Sequence, residues 1–405
     1  PPGDRAVNLG GGVHLTYCSN IHPGESWAEV RSNLATYLPR VRAQVSPDRP
    51  FGIGLRLSAQ AADDLAHPDE LAAFRAFLRE HGFYVFTLNG FPYGPFHGVP
   101  VKSEVYRPDW RDAARLRYTN VLADLLAALL PDDPELEGSI STVPIGFEAD
   151  IRTDADVATA TDHLVQHVAH LVDLERRTGR RITLALEPEP CCFLETIDET
   201  VAYFRRHAFG AAAARALSAL TGLDRADALA AMRSHLGLCL DLCHAAVEFE
   251  DLDAGLSRLE QAGIGIFKVQ VSAGLRVREF TAPVMQRLAA YRDEVYLHQV
   301  VESRPDGLHR FLDLPDALAA LPPGATDREW RVHFHVPIFH DDLGSFHSTR
   351  DFIEHALSRQ RARPLSRHLE VETYTWNVLP ADLRAMPVEA GIARELQWVR
   401  EALGA

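Results

Sequence analysis

Short β-rich apolar runs alternate along the chain with longer stretches whose apolar residues recur at helical spacing. Segments 13–19, 51–57, 84–89, 139–147, 182–189, 236–242, 264–272, 295–301, 331–339 and 368–376 read as strands. Between them, SWAEVRSNLATYLPRV begins at Ser26, a good helix N-cap, and a second helical stretch from Glu70 closes at Gly82. A third, DADVATATDHLVQHVAHLVDLERRTG, ends at Gly179. Repeated strand–helix alternation implies parallel βαβ units, and about eight of them point to an α/β fold, a closed (β/α)8 TIM barrel. A doubly wound sheet would need a phosphate-cradling turn after a strand, whereas the glycine cluster 10–12 precedes the first one.

Two regions exceed a minimal barrel. Residues 210–235, rich in Ala, read as an added helical pair, and 274–330 carries an extra strand around His298 and a PDGLH turn. Neither has linker composition, so 1–405 is expected to be a single barrel domain, with 1–12 as a flexible leader. The seventh barrel strand is ambiguous: either IFKVQVS or HFHVPIF fits that position.

Composition acts mainly by exclusion. A formal net charge of −15 argues against a nucleic-acid partner, whose phosphates attract clustered Lys and Arg. No run of about 18 apolar residues exists, so no membrane span is expected. Five cysteines over this length suit a reducing, cytoplasmic location without a disulfide framework. Lysine occurs only at Lys102 and Lys268, which makes the placement of each informative.

In such barrels chemistry sits at the C-terminal ends of the strands. Strand five runs ITLAL into Glu187, Pro188 and Glu189; strand six runs GLCL into Asp241, with His244 one turn on. The next runs IFKV into Gln270, and the last runs HLEV into Glu372. Successive strand ends thus offer carboxylate, carboxylate plus imidazole, amide and carboxylate. A lone Glu on a strand is ordinarily solvated or paired, but four such ends together are costly unless paired or bound to a metal. Oxygen-rich ligation suits Mn²⁺, Mg²⁺ or Co²⁺, with Zn²⁺ less typical. In LCLDLC, period two puts Cys239, Asp241 and Cys243 on one face, so Cys239 reads as a small buried hydrophobe below Asp241.

LALEPEP, LDLCH, KVQVSAG and LEVETY together resemble the xylose-isomerase-like TIM barrel superfamily of sugar isomerases, epimerases and hydroxypyruvate isomerases. HLTYCSNIHPGESW, HFHVPIF and VETYTWNVLP further resemble its EboE-like "metabolite traffic" branch. The resemblance implies one divalent metal ion, with Mn foremost and Mg, Co or Zn as alternatives, held by Glu187, Asp241, Gln270 and Glu372. It also implies substrate contact by His244 and an acid/base pair formed by Glu187 and Glu372. The 274–330 insertion and the HFHVPIF strand depart from the smaller epimerases.

Other groups extend the candidate site. His333 and His335 share one strand face and suit metal ligation, an anion clamp or polar barrel filling, while His298 reads as structural. Lys268 shares a face with Gln270; it could stabilise an oxyanion in catalysis or pair with a carboxylate. Asn20, His22 and Glu25 follow the first strand, Arg56 lies in the second and Asn89 ends the third. Of these, His22, Arg56 and Asn89 are candidate substrate contacts; Arg56 suits either an anion anchor or a salt bridge. The loop LNGFPYGPFHG suits a pocket wall or lid.

These residues lead to an expected metal-dependent isomerase or epimerase of a sugar, cyclitol or related polyol, moving a proton next to a carbonyl. The rivals are a non-catalytic metabolite-binding protein, a lyase or dehydratase, and an endonuclease disfavoured by the acidic charge. An oligomer contact through the aromatic loops remains open.

Overall fold

The computed structural model describes residues 9 and 11–404; residues 1–8 and 10, most of the expected leader, lie outside them. With strands numbered along the chain, β1 (His14–Tyr17), β2 (Phe51–Arg56), β3 (Phe83–Asn89) and β4 (Gly138–Thr142) form one half of a parallel sheet. β5 (Ile182–Leu186), β6 (Leu236–Asp241), β7 (Ile266–Val271) and β13 (His368–Val371) form the other. The order β1-β13-β7-β6-β5-β4-β3-β2 is that of a (β/α)8 barrel opened at one joint. That joint is stitched by a bridge between Cys18 and Gly54. The Thr16 hydroxyl completes it, donating to Gly52 O at 2.8 Å and accepting from Gly54 N at 3.1 Å.

Local sequence explains the helices. Ser26 and Thr153 each cap a helix by accepting from the backbone three residues on, and Glu29 and Asp156 return the bond. Residues 211–221 and 225–235 form the expected helical pair, packed on the helix Asp154–Thr178.

The seventh-strand ambiguity resolves cleanly. β7 pairs parallel with β6 and β13, whereas HFHV belongs to β11 (Glu329–Val336), in a second sheet. That antiparallel sheet also contains β8 (Ala273–Val277), β9 (Val300–Arg304), β10 (Gly307–Phe311) and β12 (His347–Ser348). The sheet therefore runs past the expected boundary at 330, because β11 and β12 both pair with β8. The strand expected at 295–301 begins only at Val300. Carboxylates intercept its backbone: Asp293 accepts from Val295 N at 2.6 Å and Tyr296 N at 2.9 Å, and Asp313 accepts from His298 N at 3.0 Å.

Candidate active site

Three carboxylates converge above the barrel: Glu187 after β5, Asp241 at the end of β6, and Glu372 after β13. All are buried, and one oxygen of each lies within 4.8 Å of the others. Their positions have local causes. Asp241 Oδ1 caps the helix Leu242–Val247, accepting from His244 N at 3.0 Å and from Ser272 Oγ at 2.7 Å. Its Oδ2 is left with no hydrogen-bond partner, as is Glu187 Oε2. Glu372 is fixed differently, its Oε1 accepting from Asn20 at 2.7 Å and Asn89 at 2.9 Å. Burial pushes the Glu187 carboxyl well above its ordinary range, and the negative charges of Glu372 and Asp241 add to the effect. Glu372 rises for the same first reason, with Asp241 and Glu370 contributing.

Three imidazoles descend on this floor, His244 from the barrel and His333 and His335 from β11. His335 Nδ1 donates to Glu372 O at 2.9 Å, so its Nε2 is a bare lone pair, unpartnered and 3.9 Å from Asp241 Oδ2. His244 Nδ1 donates to Pro188 O at 2.9 Å, and its Nε2 lies 3.9 Å from Asp241 Oδ1. Burial holds all three imidazoles below their ordinary pKa. Glu189 sits beside them, pushed up to about 8 by burial, and its Oε1 accepts from Tyr106 OH at 2.7 Å.

The donor set fits a cation. Glu187 Oε2, Asp241 Oδ2 and His335 Nε2 are buried acceptors to which nothing on the protein donates, and Asp241 belongs to two clusters, one with Glu187 and Glu372 and one with His244 and His335. Buried acceptors facing one another repel unless a positive charge stands between them.

The floor opens into a cavity of about 520 Å³, counting its open mouth. Asn20, Asn89, Glu187, Glu189, His244 and His333 supply polar lining. The expected loop wall is real: Phe91 and Phe96 line the cavity. Phe96 packs with Tyr296 and Tyr374 in a triangle of ring centroids 5.0–5.2 Å apart. Lys102 ties this loop to the inserted segment, donating to Asp293 O at 3.0 Å and Tyr296 O at 2.7 Å and pairing with Asp313 at 2.8 Å.

Other candidates lie elsewhere. Lys268 does not line the cavity; it is buried lower in the barrel against Glu370 at 2.7 Å, where the pairing outweighs burial and keeps its pKa raised. Gln270 also sits below the cavity lining, its Oε1 accepting from Cys239 Sγ at 3.4 Å. Arg56 holds loops together, donating to Gly24 O at 3.1 Å and Glu25 Oε2 at 3.0 Å. His22 stacks on Tyr37 at 4.2 Å, outside the cavity lining. His298 is structural, its Nδ1 donating to His333 O at 2.9 Å and its Nε2 pairing with Asp293. Sequence reasoning missed Ser272, which the same period-two alternation from Lys268 through Gln270 would have placed beside Asp241. It also missed Tyr106 and Gln299, whose loop positions carry no periodic signal.

No family model and no curated protein matches the chain. Solved structures do. The IolI protein with a bound zinc atom aligns over 95% of both chains at 11% identity and a TM-score of 0.47. The chain resembles xylose isomerase-like TIM barrels. One, from Mycobacterium smegmatis in complex with magnesium, covers 96% of this chain and 98% of its own at 13% identity and a TM-score of 0.44. A probable 3-DHS dehydratase, AsbF, from Bacillus anthracis covers 95% and 97% at 10% identity and a TM-score of 0.44. At these values the barrel assignment rests on the strand order of this chain. No helix among the described residues is long and apolar enough to cross a membrane.

Proposed function

We propose that the protein is a divalent-metal-dependent isomerase or epimerase that moves a proton next to a carbonyl of a sugar, cyclitol or related polyol. The observation that carries this reading is the pair of buried glutamates, Glu187 and Glu372, set around Asp241 with their oxygens within 4.8 Å. Glu187, Asp241, Glu372 and the His335 Nε2 lone pair would hold the cation. When bound, the metal supplies Lewis acidity to the substrate's oxygens.

The two glutamates have different freedom. Asn20 and Asn89 hold Glu372 in one orientation through its Oε1. Glu187 Oε2 has no hydrogen bond and an upward-shifted pKa, so Glu187 can take up a proton and return it. His244 borders the same cavity, and the Phe96, Tyr296 and Tyr374 triangle limits water at its mouth.

The test is incubation in D₂O with a panel of ketoses and cyclitols, with deuterium uptake at carbon read by NMR. Metal-dependent uptake that Glu187→Gln abolishes supports the proposal. Metal binding with no exchange or turnover on any member would sink it and favour a binding protein; net loss of water from a substrate would favour a dehydratase.

A further inference from the structure

His244 and His333 face each other through their Nε2 atoms at 3.1 Å. The tautomers are fixed from behind. His244 Nδ1 has a backbone carbonyl, Pro188 O, as its partner, which can only accept. His333 Nδ1 meets Gln299 Oε1 at 2.7 Å. Gln299 cannot be turned round, because its Nε2 donates to Pro190 O at 3.2 Å and to Tyr106 OH at 2.9 Å. Each neutral imidazole therefore carries its proton on Nδ1, and two lone pairs meet with no hydrogen between them. A carboxylate completes the group: Glu189 offers an oxygen within 4.8 Å of one ring nitrogen of each histidine, and Tyr106 OH steadies it at 2.7 Å. His333, Gln299, Tyr106 and Glu189 thus form one hydrogen-bonded chain that orients both the nitrogen and the oxygen donor.

From this geometry we infer a second cation site, formed by Glu189, His244 and His333 beside the carboxylate site. Two nitrogens and one oxygen suit Zn²⁺ or another imidazole-preferring metal, whereas the neighbouring carboxylates suit a harder ion. Tetrahedral zinc with Zn–N of about 2.0–2.1 Å places its two nitrogens about 3.3 Å apart, close to the spacing found here. His244 Nε2 is 3.9 Å from Asp241 Oδ1, so the two sites are adjacent, as in centres where paired metals clamp two substrate oxygens.

The experiment is reconstitution of metal-free protein with Zn²⁺ and Mn²⁺, separately and together, followed by elemental analysis after gel filtration. The wild type is expected to hold two ions per chain, and His333→Gln and Glu189→Gln one each. Glu189→Gln, which lies outside the inserted sheet, guards against a folding defect in the first variant, and circular dichroism checks both. With Mn²⁺ alone, an exchange-coupled electron paramagnetic resonance signal should become that of an isolated ion in either variant. One ion per chain that survives His333→Gln but is lost in Glu372→Gln overturns the second site and leaves the proposed function standing. One ion lost in His333→Gln but kept in Glu372→Gln supports the histidine site and removes the carboxylate site instead. No ion under any condition overturns both, the two imidazoles then sharing a proton.

Discussion

Lys268 and Glu370 meet at 2.7 Å inside the barrel, and neither side chain reaches solvent. Gly54 makes room for them, since a Cβ there would fall 1.9 Å from Glu370 Oε2. Removing one charge leaves the other buried and unpaired, which typically costs about 3–5 kcal/mol. Lys268→Met should therefore lower the denaturant midpoint strongly, and Lys268→Met/Glu370→Leu should recover much of the loss. A Lys268→Met protein as stable as the wild type would show that the pair does not support the fold.

Glu372 depends on two amides, and the metal site should depend on them in turn. Asn89→Ala or Asn20→Ala is expected to weaken Mn²⁺ binding about 10–100-fold, the usual effect of losing a group that orients a ligand. Competition with a chelator measures this directly, and unchanged affinity in both variants would detach Glu372 from the metal.

Glu395 gives a pH dependence apart from the cavity. It accepts from Thr373 Oγ1 at 2.7 Å and Ile338 N at 3.2 Å, yet burial pushes it from the ordinary 4.5 to about 7. The folded chain then binds more protons than the unfolded one between those values. Its contribution is full at low pH and is lost as pH rises through about 7. Glu395→Gln should flatten the fall in stability between about pH 4.5 and about pH 7, by roughly 3 kcal/mol at most. Equal slopes in the two proteins would refute the assignment.

Lys102 clips the loop after β3 to the inserted segment. Lys102→Met should speed hydrogen exchange in residues 91–106 while leaving the barrel strands protected, because three bonds at one side chain are lost and no core contact is. Unaltered exchange in that loop would mean that the aromatic triangle alone holds it.

The carboxylates were legible in the sequence for a physical reason. An apolar strand that ends in Glu187, Asp241 or Glu372 places a charge where burial is costly, and that anomaly survives without coordinates. Alternation also put His333 and His335 on one face. It could not say which sheet carried them, because β11 is fixed by pairing with β8 and β9 across long chain separations. Lys268 shows the converse limit: its partner Glu370 lies on the same face as Glu372, but only the barrel's layering shows that the pair sits below the site. Arg56 and His22 had acceptable substrate-binding chemistry, and loop packing decided against the cavity for both.

The inserted sheet also sets an order of events during synthesis. Glu187 and Asp241 leave the ribosome before His333, His335 and Glu372, so their carboxylates can remain hydrated until the later residues arrive. The last third of the chain then brings Glu372, whose negative charge adds to the burial that raises the Glu187 pKa. A truncated chain ending before β11 would therefore keep both acids and lose the Glu372 charge that helps to raise the Glu187 pKa.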